Sequence, residues 1–426
     1  MSALSDFGAV GDARQVHPIA MVADSPLAVA APGTFTAADV GKNIVVAGAG
    51  ASGAKLSTTI AEFVDETTVS LAQAAATTQA ETGASLGTDC SGALQAALDS
   101  LADNGGGELF IEGEYLLTAP VYKNFQALAS SVRLRGAGSA SALLIACGAT
   151  DAAITLGNLI RLRIEGIDFV GTPHERNDAR IVLDLQTCLS ADLEGNSFYG
   201  FANVDSPEAA VVNNQSGGLN LLRNGFGGCM IANGGVVLNN LWQHFSSEGN
   251  RFIDFGQRNG ILHSKTFLLT GQSWIRIGDP VAAAAYESNP ALAYPHASVR
   301  LEGDFYDEGT KNPVLINSPA KRIGGVRIAG CRFNVNGFTT GTTGPAILNV
   351  ADLSIEHCSI GYCNAPRFAI YLNTVRHARI VGVVTNGVVT TLKAYTIDWL
   401  EIVNSPTLSN LELTAVTRQT INGLAP

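Results

Sequence analysis

Short alternating apolar runs recur along the chain, each closing on an aromatic after a turn residue. The segments are RLRIEGIDF (161–169), SADLEGNSF (190–198), LNLLRNGF (219–226), FSSEGNRF (245–252), RLEGDF (300–305) and RIAGCRF (327–333). Their phenylalanines, Phe169, Phe198, Phe226, Phe252, Phe305 and Phe333, stand 29, 28, 26, 53 and 28 residues apart. The spacing defines a repeat of about 27 residues, with the long gap read as two turns, one lacking its aromatic. QSWIRIGDPV (272–281) is the expected missing turn, with Val281 in the aromatic's place, and LSIEHCSI (353–360), ARIVGVV (378–384) and LEIVNSP (400–406) continue the series. A second run of strands interleaves at a similar period: IVLDLQT (181–187), AVVNNQ (210–215), GVVLNN (235–240), PVLINS (313–318), PAILNV (345–350) and AIYLNT (369–374).

Short strands recurring at a fixed register, separated by Gly, Asn or Pro corners, predict an all-β solenoid, a parallel β-helix. Each strand stacks on its counterpart one turn on, about 4.8 Å away, and the aromatics point inward as a column. A leucine-rich solenoid is disfavoured because the LxxLxL rhythm is absent, and a β-sandwich because its strands do not recur at fixed register. Residues 88–104 read as a helix, with Thr88 or Asp89 as N-cap and Ala93, Leu94, Ala97, Leu98 and Leu101 as one apolar stripe. A single helix before the coil suits a cap over its open first turn. Between residues 13 and 87, the runs NIVVAG, STTIAEFV and TTVSLA indicate a small β-rich insert.

Composition agrees with many strands and tight turns. Charged residues are 15% of the 426, glycines number 46, and the net charge is −11 with no basic run, which excludes a phosphate-binding surface and makes nucleic acid an unexpected partner. Seven cysteines without CxxC pairing read as small buried hydrophobes in a reducing cytosol rather than zinc ligands. The N-terminus has no basic and apolar leader, and no run is long enough to span a membrane. Release by a route other than secretion, for instance within a virus particle, or residence in the cytoplasm, is expected.

DFGAVGD (6–12), TDCSGALQAALDS (88–100) and GGGELFIEGEYLLT (105–118) together resemble the N-terminal signature of the pectate-lyase-like superfamily. The match covers the first quarter of the chain. The resemblance implies a right-handed parallel β-helix over 105–426, preceded by a signature strand (1–12), the insert (13–87) and a capping helix (88–104). It also implies polysaccharide as substrate and, as in phage tailspikes, a homotrimer. The catalytic segments NTDG and GHG of the polygalacturonase type are absent, as is the calcium-ligand and arginine pattern of pectate lyases, so no catalytic residue carries over.

Candidate chemistry therefore comes from register. Glu165, Glu194 and Glu248 share a position before the aromatic, and Arg163 and Asp192 share another. Stacked glutamates require a nearby cation, Arg163 or a bound metal. Asp254 and Asp307, read as equivalent positions two turns apart, would lie about 9.6 Å from each other, close to the 6.5–9.5 Å between the acid and base of inverting glycosidases. Asp279, Asp304 and Glu308 join them in an acidic cluster that could equally take calcium; no other cofactor is expected. Trp242, Trp274, Tyr286, Tyr294 and Tyr306 are candidate sugar-stacking rings, with His244 as a hydroxyl partner. The interruption 279–298, carrying Glu287 and His296, is a candidate functional loop. The expected activity is hydrolysis of a bacterial surface or extracellular polysaccharide, with a polysaccharide lyase or a non-catalytic virion spike as alternatives.

Overall fold

The computed structural model describes the chain except residues 1, 127–129, 139–140, 205, 207–208, 216, 232–234, 240–243, 254–256, 259–260, 263–272, 279–297, 308–311, 318–322, 335–341, 343, 364–367, 388–391 and 422–426. From residue 106 on, the chain winds as a parallel β-helix with three strands per turn. One turn comprises Leu159–Glu165, Asp168–Gly171 and Ile181–Gln186; the next comprises Ser190–Glu194, Ser197–Tyr199 and Ala210–Gln215. Each strand pairs in parallel register with its counterpart, as in Arg163↔Asp192, Phe169↔Phe198 and Leu183↔Val212.

The corner between the first two strands of a turn explains the Gly-or-Asn punctuation. Gly166, Gly195, Gly249, Gly303, Gly330 and Gly382 all occupy the left-handed region there, joined by Arg223, His357 and Asn404. Glycine takes this conformation without steric cost, and asparagine tolerates it. Beyond the corner the aromatic turns inward. Phe169, Phe198, Phe226, Phe252, Tyr306 and Phe333 stack in one column, with neighbouring ring centroids 4.7 to 4.9 Å apart and planes within 5°.

Two register expectations are corrected. The column takes Tyr306, not Phe305: Arg251↔Phe305 and Phe252↔Tyr306 pair directly, and the Phe305 ring lies outside, under the Arg332 guanidinium. The long gap is also one turn, not two. The rings of Phe252 and Tyr306 are only 4.9 Å apart, so no turn stands between them. Ser273–Ile277, read as the first strand of a missing turn, instead pairs with Gly235–Asn239 and Val314–Asn317 as the third strand of the same turn. The added sequence therefore lengthens a single turn, and Val281 lies outside the described residues.

Beside the aromatics runs a polar column. Asn196, Asn224 and Asn250 each donate from Nδ2 to a carbonyl of the preceding turn, those of Ile164, Leu193 and Leu221, at 2.8 to 3.0 Å. The backbone N–H groups of Asn196 and Asn224 donate to the Oδ1 of the next asparagine, at 2.9 and 2.7 Å. Buried corner amides are thereby satisfied. Asp304 ends this series: its Oδ1 accepts the Asn250 N–H at 2.8 Å and its Oδ2 the Tyr306 hydroxyl at 3.0 Å. It is 1% exposed, so this expected member of an acidic catalytic cluster is an interior acceptor turned away from any ligand. Cys331 and Cys358 follow at the equivalent buried corner position, and the six cysteines with described side chains are all buried.

The helix, α1, spans Ser91–Asp103 and buries Leu94, Ala97, Leu98 and Leu101 against the strands Gly106–Ile111 and Val121–Asn124. Cys90 is at the N-cap position. Asp89, one residue earlier, accepts from the N–H and hydroxyl of Ser91 and from the Thr118 N–H. Within the insert, Arg14–Met21, Leu27–Ala30, Asn43–Val46, Leu56–Asp65, Thr68–Leu71 and Gln79–Gly87 close into an antiparallel barrel around Ile19, Ile44, Val46, Ile60, Val69 and Leu86. It rests on the coil through Gln15 to the Gly171 carbonyl, Ser85 to Thr172, and His17 stacked on His174. Gly83 packs against Pro173 so closely that an added Cβ would lie 2.4 Å from it.

Phe226→Ala, which empties the middle of the column, is expected to destabilise the fold by about 3–5 kcal/mol, read as a lowered denaturation midpoint; a change below about 0.5 kcal/mol would refute the column's role. Burial pushes the Asp304 carboxyl from the ordinary 3.8 up to about 6, against the lowering effect of its hydrogen bonds from Ser247, Asn250 and Tyr306. Between those values the folded chain keeps a proton that the unfolded chain releases, so stability falls as pH rises from about 4 to 6, by up to about 3 kcal/mol. Asp304→Asn extends the asparagine series without titrating. Its stability should lose that part of the pH dependence, and an unchanged slope would disprove the assignment.

Candidate functional site

On the outer face of the first strands, three columns of side chains run along the coil. One column reads His244, Ser298, Gly325, Asp352, His377 and Trp399, each in register with the next. The second, two residues on, reads Ser246, Arg300, Arg327, Ser354, Arg379 and Glu401. The third carries Glu248, Glu302 and Glu356, with Ala329 between the last two. Strand alternation places all of these outward and leaves Val299, Val326, Leu353 and Ala378 pointing to the core. The first column, and the second from Arg300 on, line an open groove of about 550 Å³. From His244 to Trp399 it crosses five stacking steps, about 24 Å.

The charges in the groove are paired. Arg327 bridges Glu302 at 2.8 Å and Glu356 at 3.0 Å, Arg300 holds Glu302 at 2.5 Å, and Arg379 holds Glu401 at 2.9 Å. Arg300 lies beside Glu302 and draws its carboxyl below the usual range; Ser354 and Arg327 do the same for Glu356. His377 Nδ1 lies 2.9 Å from Asp352 Oδ1 and 3.1 Å separates His244 Nδ1 from the Ser298 hydroxyl. Burial, with Arg300 nearby, lowers the His244 pKa and favours the neutral imidazole. Trp399 is 46% exposed, its ring edge-on to His377 at 5.8 Å. A second depression, about 850 Å³, continues the surface past Trp399 over Asp398, Arg418 and Gln419. Paired ions, imidazoles, hydroxyls and an exposed indole on a rigid sheet offer donors, acceptors and a stacking face, which suits a hydroxyl-rich ring.

Of the residues singled out from sequence, His244 lies in this groove and Glu248 is exposed at its margin. Trp274 and Tyr306 are wholly buried, the indole donating to the Asp307 carbonyl and the phenol to Asp304; neither presents a ring face for stacking. Asp307 accepts from Asn334 Nδ2 at 2.9 Å and faces outward one position past the aromatic column. Because Tyr306 rather than Phe305 occupies that column, the premise that Asp254 and Asp307 are equivalent positions two turns apart fails on both counts. Asp254, Asp279, Glu308, Trp242, Tyr286, Tyr294, Glu287 and His296 lie outside the described residues. In sequence, the segment 279–297 runs directly into Ser298 of the groove.

The stacked pair Glu165 and Glu194 has its cations in arginines. Arg163 reaches Glu165 at 2.7 Å and Glu194 at 2.6 Å, with Arg133 also on Glu165 and Arg223 also on Glu194. Among the described residues, no group of three or more His, Cys, Asp or Glu side chains is arranged to hold a metal ion. Sequence reasoning missed Asp352, His377, Trp399 and the arginines. Aligning whole turns would have found them, since each member of the first column stands equally far before its turn's inward position.

No family model and no curated protein matches this chain. Among solved structures, the A-module of the mannuronan C-5 epimerase AlgE6 of Azotobacter vinelandii is similar over 80% of this chain and 93% of its own, at 11% identity and a TM-score of 0.43. The tailspike of Acinetobacter baumannii phage AM24 is similar over 78% of this chain and 52% of its own, at 11% identity and 0.37. The catalytic unit of an α-1,3-glucanase from Streptomyces thermodiastaticus is similar over 95% of this chain and 86% of its own, at 12% and 0.37.

Proposed function

We propose that this chain is a polysaccharide-acting protein that holds an extended glycan along the groove between His244 and Trp399. The observation that carries the reading is the groove itself: an open channel parallel to the coil axis, floored by strands and ending at a half-exposed indole. A polymer of repeating sugars suits a surface that repeats every stacking step, and compensated Arg–carboxylate pairs supply hydrogen bonds without a strong net charge. A phosphate-rich polymer would find no free cationic stripe, since each groove arginine already holds a carboxylate.

Hydrolysis of the bound chain is the finer reading. It requires two carboxyl groups whose environments separate their pKa values. Glu302 and Glu356 stand on either side of Arg327, two stacking steps apart, about 9.6 Å, but both are held toward the ionised form. They suit hydroxyl binding and charge stabilisation rather than proton donation. A trimer of such coils, as in a virion spike, is the assembly proposed.

The test is a binding and cleavage panel of neutral glucans, galactans, alginate and bacterial exopolysaccharides. Trp399→Ala should weaken binding of the recognised glycan at least about tenfold, about 1.4 kcal/mol, without moving the denaturation midpoint. Unchanged affinity would remove the groove from the reading. New reducing ends without an unsaturated uronate chromophore mark hydrolysis, the chromophore marks elimination, and binding without products marks recognition alone.

A further inference from the structure

A second cleft opens on a different face of the coil. The strands Ile370–Val381 and Leu392–Val403 each bend at a left-handed corner, Thr374 and Thr396, and continue onto the groove face. Before the corner, their outward residues are Tyr371 and Asn373 on one strand and Lys393 and Tyr395 on the next, paired Tyr371↔Lys393 and Asn373↔Tyr395. Together with Phe368 and Thr396 they line an open cleft of about 510 Å³. Two N-terminal turns are closed here: in Ile181–Gln186 and Ala210–Gln215 both faces are buried except at the last residue.

The cleft has the parts of a sugar subsite. The rings of Tyr371 and Tyr395 stand 6.0 Å apart at 57°, forming two inclined walls. Lys393 Nζ lies 4.8 Å from the centre of the Phe368 ring and 5.4 Å from that of Tyr395, so one cation orders both. The same ammonium is 3.3 Å from Glu412 Oε2, which neutralises it, and also hydrogen-bonds Tyr395, leaving one N–H for a ligand. Asn373 adds an amide and Thr396 a hydroxyl. We propose that this cleft binds a neutral hexopyranose unit of a glycan, with the tyrosine rings against the sugar and Lys393, Asn373 and Thr396 on its hydroxyls. A uronate is disfavoured, because its carboxylate would enter beside Glu412 with no unpaired cation among the described residues of the cleft to meet it. Tyr395 and Trp399 share one strand on either side of the Thr396 corner, so the subsite adjoins the end of the groove. The proposal rests on the polysaccharide reading only for the choice of glycan tested.

The experiment is calorimetric titration of the full chain with neutral gluco- and galacto-oligosaccharides and with oligogalacturonate, using the native sequence, Tyr395→Ala, Lys393→Met and Trp399→Ala. Two sites for a neutral oligosaccharide are expected, one of which weakens at least tenfold in Tyr395→Ala and in Lys393→Met but persists in Trp399→Ala, at unchanged denaturation midpoints. A single site unaffected by Tyr395→Ala and Lys393→Met overturns the subsite, as does no binding by any chain. Oligogalacturonate bound there as tightly as the neutral sugar overturns the assigned class. Loss confined to Tyr395→Ala and Lys393→Met, with Trp399→Ala unaffected, retains the subsite and rejects the groove.

Discussion

The structure depends on in-register stacking of inward side chains, and the aromatic column is where that constraint is strongest. Six rings spaced 4.7 to 4.9 Å apart match the repeat of the strands that carry them. A slip of one residue would turn every ring outward and every polar neighbour inward. The asparagine column reinforces the same register with hydrogen bonds that only an adjacent turn in the correct phase can complete. Hydrophobic burial and amide satisfaction thus select one alignment, and the left-handed corners deliver each turn to it.

Because the constraint acts only on strands, the chain between them is free to vary in length. Two long stretches of sequence, 254–272 and 278–297, fall between the strands of one turn and the next, yet Phe252 still stacks on Tyr306 and Gly235 still pairs with Ser273. Closing a longer loop costs little extra entropy, so added chain can accumulate at one level of the coil without breaking the stack. The barrel is a larger case. It carries its own core and joins the coil through Val45, packed with Leu116, Leu144 and Val170, through Lys55 on the Cys147 carbonyl, and through the contacts around Gly171 to His174.

The repeat, the parallel stacking and the capping helix were legible in the sequence because each is written in a periodicity. The errors came where periodicity is degenerate. In RLEGDFYD two adjacent aromatics compete for the column, and one residue decides which faces inward; counting from the corner glycine favours Tyr306, whereas matching the residue type favoured Phe305. The double-length gap was ambiguous because a missing turn and a lengthened one have the same residue count, and only pairing distinguishes them. The groove was less legible. His, Ser, Gly, Asp and Trp follow one another in the first outward column, so a search for repeated chemistry passes over them, while buried Asp304 and Tyr306 drew notice by their acidity and aromaticity.

The division of labour between faces also locates the candidate chemistry along the coil. In the N-terminal turns the outward columns are filled by Arg133, Arg161, Arg163 and Arg223 against Glu165, Asp192 and Glu194, a network in which each side chain serves its neighbours across strands. Farther on, the guanidinium–carboxylate pairs persist in the second and third columns, but the first holds His377, in contact with Asp352, and Trp399, whose indole is half exposed. The inner column changes over the same stretch, from rings to Ile360 and Thr385, without loss of register. Stability resides in the interior and its backbone pairing, so outer positions can change without altering the fold. A column on such a scaffold holds its side chains at fixed spacing along a straight line, the arrangement a stiff polymeric ligand requires.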